Sequence, residues 1–267
     1  MNTPQNSRGL IAITGCGSIS PLGLDRASIY SSYLKNDMFL TNKHFNNNLY
    51  TVGALPQEAE KQLKNIILEN PKYRDIDKTV LMAIIAAKQA FTEAGWKAAP
   101  GIITGVNFGS SRGSTATFEK LHEGFLKDEF RQTSVFTSPL TTLGYVSNQV
   151  ASYLNLTGPV INTSVTCSTG IQAICNAIAW IRSGMANRFI VGGTEAPLTD
   201  FTIAQVEALG IYTKLFEDEY PCAPLSSERK GKNTFALGEG AAAFAIEKLN
   251  TVDFARLAAR QAEHPPL

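Results

Sequence analysis

Residues 160–170, reading Val-Ile-Asn-Thr-Ser-Val-Thr-Cys-Ser-Thr-Gly, constrain this chain more than any other stretch. A β-type run containing Val160, Ile161, Thr163 and Val165 leads directly into Cys167. Small residues follow, and an apolar-periodic segment then extends from Ile171 toward Met185. A strand, a sharp turn and a helix with a cysteine at the turn is a recognised way to present a nucleophile. The helix N-terminus offers unpaired N–H groups and the positive end of a dipole, both suited to a negatively charged sulfur. Hydrolases with Gly-x-Ser-x-Gly hold their serine by the same strand–turn–helix geometry. The competing reading is a small buried residue at a tight junction, since free cysteine is often buried. Local sequence leaves both open.

The rest of the chain repeats the alternation of strand and helix. Residues 10–13 read as a short buried strand ended by Thr14 and Gly15. The glycine-rich loop 15–23 places its third glycine too late for a dinucleotide fingerprint. Residues 25–35 have helical character, and residues 42–48 read as an asparagine-rich loop. The clearest helix is 77–94, capped by Asp77, with Val80, Leu81, Ile84, Ala87 and Phe91 on one face and Gly95 as its stop. Residues 102–108 read as a strand and 109–114 as a Gly-Ser turn. A helix over 115–130 is expected to turn Phe118, Leu121, Phe125 and Leu126 inward, and another spans 140–156. After Cys167, the stripe Ile171, Ile174, Cys175, Ile178 and Ile181 marks Cys175 as core. A strand over 188–191 turns at Gly192 and Gly193, and a short helix covers 199–209. Residues 217–233 form an exposed excursion, and 234–249 return to strand. This order implies an α/β fold with a mainly parallel sheet covered on both faces. No repeat or linker divides it.

Composition narrows the function classes. Net charge is +1 over 267 residues, with no basic run of the kind nucleic-acid binding needs. The four cysteines (Cys16, Cys167, Cys175, Cys222) stand apart, without metal-ligand spacing or a disulfide framework, so a zinc site is not expected, and nothing else in the chain implies a metal or organic cofactor. The N-terminus lacks a signal-peptide pattern and no apolar run reaches membrane-span length, so the chain reads as globular and cytoplasmic.

Several separated motifs then agree. Residues 11–17 with 20–23 resemble the opening of β-ketoacyl-acyl-carrier-protein synthases. Gly158-Pro159 with residues 166–170 resembles their nucleophile segment. Residues 191–196 and 237–242 resemble two further landmarks in the same order. The resemblance implies a thiolase-like, layered α/β/α fold, essentially the N-terminal half of a ketosynthase over residues 1–249, followed by a short tail, 250–267. It also implies a dimer, an acyl thioester on Cys167, and two histidines that promote decarboxylation of a malonyl-carrier protein. Carbon–carbon bond formation needs a good acyl leaving group and donors for the developing enolate.

The match stops where the family's histidines begin, downstream of the Leu-Gly-Glu-Gly strand. His44, His122 and His264 are expected to be solvated or structural, and residues 222–226 depart from the family's Arg-Pro-Phe-Asp pattern. Two functions follow from the resemblance. In the first, the chain is a chain-length-factor-like subunit paired with a complete ketosynthase. It would pair through residues 134–153 and 160–165, with Phe136 reaching the partner's acyl tunnel and an acyl carrier protein delivering the chain. In the second, it is an acyl-accepting transferase or active synthase using Cys167, which is retained here.

Overall fold

The computed structural model describes residues 9–35, 37–97, 99, 101–129, 131, 133–216, 220–224, 226–229 and 233–263. In chain order the elements are β1 (Leu10–Ile19), α1 (Arg26–Leu34), β2 (Thr41–Phe45), β3 (Asn48–Val52), α2 (Gln57–Glu69), α3 (Lys78–Glu93), β4 (Thr104–Gly109), α4 (Thr115–Lys127), α5 (Thr137–Thr141), α6 (Tyr145–Tyr153), β5 (Val160–Thr163), α7 (Thr169–Arg182), β6 (Arg188–Glu195), α8 (Asp200–Ala208), β7 (Gly240–Leu249) and α9 (Thr251–Glu263). The α/β expectation holds. The sheet is mixed rather than mainly parallel, in the order β1-β7-β6-β4-β5. Strand β4 is parallel to β5 and β6, whereas β7 is antiparallel to β6 and β1. The reason is where the chain re-enters: β7 begins at Gly240 opposite Glu195, the end of β6, so the chain returns from the end at which it left.

Helix α3 organises one face. Asp77 is buried and caps two helices at once, its Oδ1 accepting from the Thr79 N–H and its Oδ2 from the Thr117 N–H, each at 2.9 Å. The helix is buried nearly all round, from Thr79 to Ala87, because it has the sheet on one side and α2 and α6 on the other. Alternate residues of β6 serve opposite faces: Ile190 joins the α3 core, while Phe189 and Val191 pack with Ala177 and Ile181 of α7.

The glycine-rich stretch expected to be a loop is strand as far as Ile19, and only residues 20–23 turn, closed by backbone hydrogen bonds between Ser20 and Gly23. Gly15 and Gly17 lie against α3 so closely that a Cβ on Gly17 would stand 2.1 Å from the Ala86 carbonyl oxygen. One on Gly15 would stand 2.2 Å from that of Ala90. The same helix covers the open edge of β1, where the Cys16 N–H donates to Glu93 (2.7 Å) and the Ser18 N–H to Gln89 (2.8 Å).

Other expectations need correction. The asparagine-rich loop is a hairpin, β2–β3, turned by Asn46 and Asn47 at φ 48° and 61°, a backbone region that asparagine tolerates better than most residues. Its tip is pinned by the Asn46 N–H and side chain to Asp200. Helix α4 buries no residue, and Phe118 is 53% exposed, because the helix lies at the rim of a surface groove. The helix over 140–156 is two helices, parted where Thr142 is extended. Strand β6 runs through Gly192 and Gly193 to Glu195. Cys175 is exposed, not core. The sheet-facing stripe of α7 is Ala173, Ala177 and Ile181, whose small residues permit close approach, and Ile171 points away with Cys175. Helix α2, with charges at Glu58, Glu60, Lys61, Lys64 and Glu69, escaped the sequence reading, and buries only Ala59, Leu63 and Ile66. In the excursion, Cys222 and Pro224 are exposed, while residues 217–219, 225 and 230–232 lie outside the described residues.

Candidate functional site

Cys167 sits where the sequence placed it, on a tight turn (Thr166–Ser168) between β5 and α7, and it is exposed. The turn is strained. Thr166 has φ 47°, which a β-branched residue adopts only when its surroundings impose it, at a cost of about 1–3 kcal/mol. The restraint comes from Thr169, whose Oγ1 accepts from the Val165 N–H at 2.9 Å and donates to the Thr166 carbonyl at 2.6 Å. Ser168 adds a bond from its Oγ to the Val165 carbonyl at 2.9 Å.

Gly109 lets this turn approach the sheet closely, while Gly193 lies in ordinary contact with it. A Cβ on Gly109, at the end of β4, would meet Thr169 Cγ2 at 2.2 Å, and one on Gly193 would lie 3.6 Å from the Gly170 Cα. Beneath them a buried network fixes the end of β5. Thr163 Oγ1 donates to Asn107 Oδ1 at 3.0 Å, Asn107 Nδ2 donates to the Ala173 carbonyl at 3.2 Å, and Asn176 reaches Thr163 at 3.3 Å. Asn107 is fully buried, so this amide couples β4, β5 and α7 where substitution by an apolar residue would orphan its partners.

Cys167 opens into a cleft of about 850 Å³ formed where the ends of β1, β4 and β6 and the start of β7 converge. Its polar lining includes Ser111, Arg112 and Glu195. Ser111 donates its N–H and its Oγ (2.8 Å) to Glu195 Oε1, whereas Oε2 is buried with no hydrogen-bond partner. The sequence reading passed over Ser111 and Arg112, and took Glu195 only as part of a motif. The Gly-Ser turn between a strand and a helix was the available signal.

The other singled-out residues are elsewhere. Phe136 precedes α5 at the surface, 64% exposed beside Val135 at 85%, and it does not line the cleft. His44 and His122 line a different groove, between the hairpin, α4 and α8, where His122 stacks on Phe118 with ring centroids 5.9 Å apart. His264 lies outside the described residues. Cys16 is half-buried, and burial, followed by the nearby Glu93 carboxylate, pushes its thiol pKa up. Among the described residues no group of three or more His, Cys, Asp and Glu is placed to hold a metal ion, and no helix is long and apolar enough to cross a membrane.

Residues 10–251 match the family model described as the β-ketoacyl synthase N-terminal domain. The chain is 30% identical over 255 residues to 3-oxoacyl-[acyl-carrier-protein] synthase 2 of Staphylococcus aureus (strain COL), covering 92% of this chain and 59% of that protein. It therefore spans about 59% of the length of such curated relatives. Among solved structures, it is similar to a chain of a type II polyketide synthase complex, an acyl-carrier protein with its ketosynthase bound to the hexaketide (TM-score 0.74, 19% identity, 96% of this chain and 60% of that one). It is also similar to a chain of the complex between the ketosynthase ApeO and its chain length factor ApeC from Xenorhabdus doucetiae (TM-score 0.68, 18% identity, 94% and 61%). These likenesses carry the layered thiolase-like ketosynthase fold.

Proposed function

This chain belongs to the β-ketoacyl synthase family, and from that premise we propose that it acts as a chain-length-factor-like subunit. Its partner is a complete β-ketoacyl-acyl-carrier-protein synthase working in fatty acid or polyketide elongation, aryl-polyene-type chains included. The observation that carries this reading is the open edge of β5. That strand pairs only with β4 among the described residues, and Val160, Val165 and Ile171 stand exposed at and beyond it, at 41%, 48% and 58%. An unblocked strand edge flanked by apolar side chains is a surface made for strand addition. The opposite edge, β1, has the N–H groups of Cys16 and Ser18 covered by α3, so the two edges are treated differently. The positions of His44 and His122 in a separate groove support the same reading, since neither side chain lines the cleft at Cys167. Phe136 and Val135 form an exposed apolar knob that, in this proposal, enters the partner's acyl tunnel and limits chain length. An acyl carrier protein delivers the chain on its phosphopantetheine arm. Residues 1–249 form the ketosynthase-type unit and 250–267 its tail. Co-expression with a full-length ketosynthase tests the proposal. Stable co-purification in a defined ratio is expected, and a chain that stays monomeric and never co-purifies would end it.

A second reading has its own observation: Cys167 is exposed on a strained turn facing a cleft. In this reading Cys167 accepts an acyl group by transthiolation. Intact-protein mass spectrometry with an acyl-pantetheine thioester should show one adduct that is lost in Cys167→Ala. No adduct, together with unchanged product output from Cys167→Ala, would dispose of it.

A further inference from the structure

Arg112 stands on a turn that is fixed on both sides. Ser111, before it, is bound through N–H and Oγ to Glu195. Gly113, after it, donates its N–H to the Oγ of fully buried Ser110 at 2.8 Å. Gly113 has φ 65°, a backbone region that disfavours any side chain there, and it lies against Leu143. The Arg112 backbone therefore has a set position at the wall of the cleft that Cys167 also lines.

The side chain is held by a neutral partner. Its Nη1 donates to Gln205 Oε1 of α8 at 2.7 Å. Like most of the described cations, Arg112 has no carboxylate within ion-pair distance among the described residues. Glu195, the carboxylate lining the same cleft, is engaged at Oε1 by Ser111 rather than by the guanidinium. A glutamine orients a guanidinium without neutralising it, and the remaining N–H groups of its planar fork match the two oxygens of a carboxylate. A purely apolar acyl chain would gain nothing from that charge, and burying it unpaired would cost binding.

We infer that Arg112 is a specificity residue of the cleft at Cys167, selecting thioesters whose acyl group ends in a carboxylate over neutral acyl thioesters of the same length. The inference rests on the second reading above, in which Cys167 accepts the acyl group. The step is a transthiolation: the Cys167 sulfur attacks the thioester carbonyl and a new C–S bond forms. The bond to the donor sulfur breaks, and the donor leaves as a thiol carrying the proton that Cys167 gave up. Arg112 takes no part in that exchange and contributes by holding the far end of the acyl group. The phosphate of a phosphopantetheine arm has a similar anionic chemistry, so the test separates the two sources.

Purified chain is offered glutaryl-pantetheine and pentanoyl-pantetheine, neither of which carries phosphate, and the rate of adduct formation at Cys167 is followed by peptide-resolved mass spectrometry. A partly exposed ion pair opposed by Glu195 is worth about a three- to fivefold preference for glutaryl. Arg112→Gln is expected to remove that preference by slowing glutaryl alone, and Arg112→Lys to keep part of it. A third donor, pentanoyl-phosphopantetheine, should gain nothing over pentanoyl-pantetheine. A gain there, with no glutaryl preference, overturns the assignment to the acyl carboxylate. The independent arm is alkylation of Cys167 by anionic iodoacetate against neutral iodoacetamide, with exposed Cys175 and Cys222 as internal references. The iodoacetate-to-iodoacetamide ratio at Cys167 should fall about threefold in Arg112→Gln and stay constant at the references. An unchanged ratio overturns the inference even if acyl transfer occurs. A complete lack of acyl transfer refutes the acyl-accepting reading and the thioester selectivity built on it, while the alkylation ratio still decides whether Arg112 steers anions to Cys167.

Discussion

Replacing Gly17 by alanine is the sharpest test of how β1 and α3 hold the sheet together. The added Cβ would stand 2.1 Å from the Ala86 carbonyl oxygen, 2.7 Å from Gln89 Cβ and 2.9 Å from the Ala90 nitrogen. Ordinary contacts between non-bonded atoms begin near 3.5 Å, so strand and helix must part by about 1 Å or more. Two of the three obstructing atoms are backbone and cannot swing aside. The cost should therefore fall toward the upper end of the roughly 1–3 kcal/mol typical of overpacking. At about 2–4 °C per kcal/mol for a chain of this size, the melting temperature should drop by roughly 4–12 °C. Gly15→Ala meets the Ala90 carbonyl at 2.2 Å, and one separation of β1 from α3 relieves both clashes, so the double variant should cost less than the sum. Gly124→Ala is the control of opposite sign: it lies inside α4 with nothing within 4 Å of the new Cβ and should stabilise by about 0.5–1 kcal/mol. Urea-unfolding midpoints at constant m-value measure all four. A Gly17→Ala protein as stable as its parent, or strict additivity with Gly15→Ala, would refute the close-approach argument.

Asp77→Ala removes one buried carboxylate from two helix starts and should destabilise by about 2–4 kcal/mol, with Asp77→Asn costing less because one acceptor remains; urea midpoints check both. The Tyr50 phenol pKa is raised first by its hydrogen bond to Glu207 and then by burial, and burial likewise raises Tyr212 and Tyr145. A phenol raised in the folded state contributes stability that is intact below the unfolded value of about 10 and is lost as pH rises through the folded value. Stability should therefore fall from about pH 10 upward, less steeply in Tyr50→Phe, and pH-dependent unfolding midpoints with no such slope would contradict it. Val160→Lys and Val165→Glu should abolish co-purification with a ketosynthase while leaving the melting temperature within about 1 °C, because both side chains are exposed. Retained co-purification would move the interface away from β5.

Local chemistry carried far in this chain. Asp77 and Gly95 bracketed α3 correctly, and the strand, Cys167 and following helix were found at their true positions, because caps, turn residues and period are properties of short segments. Segments with two plausible faces were not legible. Helix α7 is apolar nearly all round, so its sequence could not tell that Ala173 and Ala177 meet the sheet while Cys175 faces outward. The glycine-rich stretch through Gly17 had the composition of a loop, and only its pairing with β7, from the far end of the chain, makes it a strand, with glycines that admit α3 against it.

The sequence by itself determined the family, the α/β order of elements and the position of the turn that presents Cys167, since each is written in contiguous residues. Tertiary structure decided which strands run antiparallel and which sheet edge is left open. It also decided which side chains share a cleft with Cys167. Arg112, Glu195 and Cys167 are far apart in the chain and meet only because the ends of β4, β5 and β6 converge. That convergence depends on long-range packing, such as Thr169 against Gly109 and Gly170 against Gly193, and no single segment of the sequence encodes it.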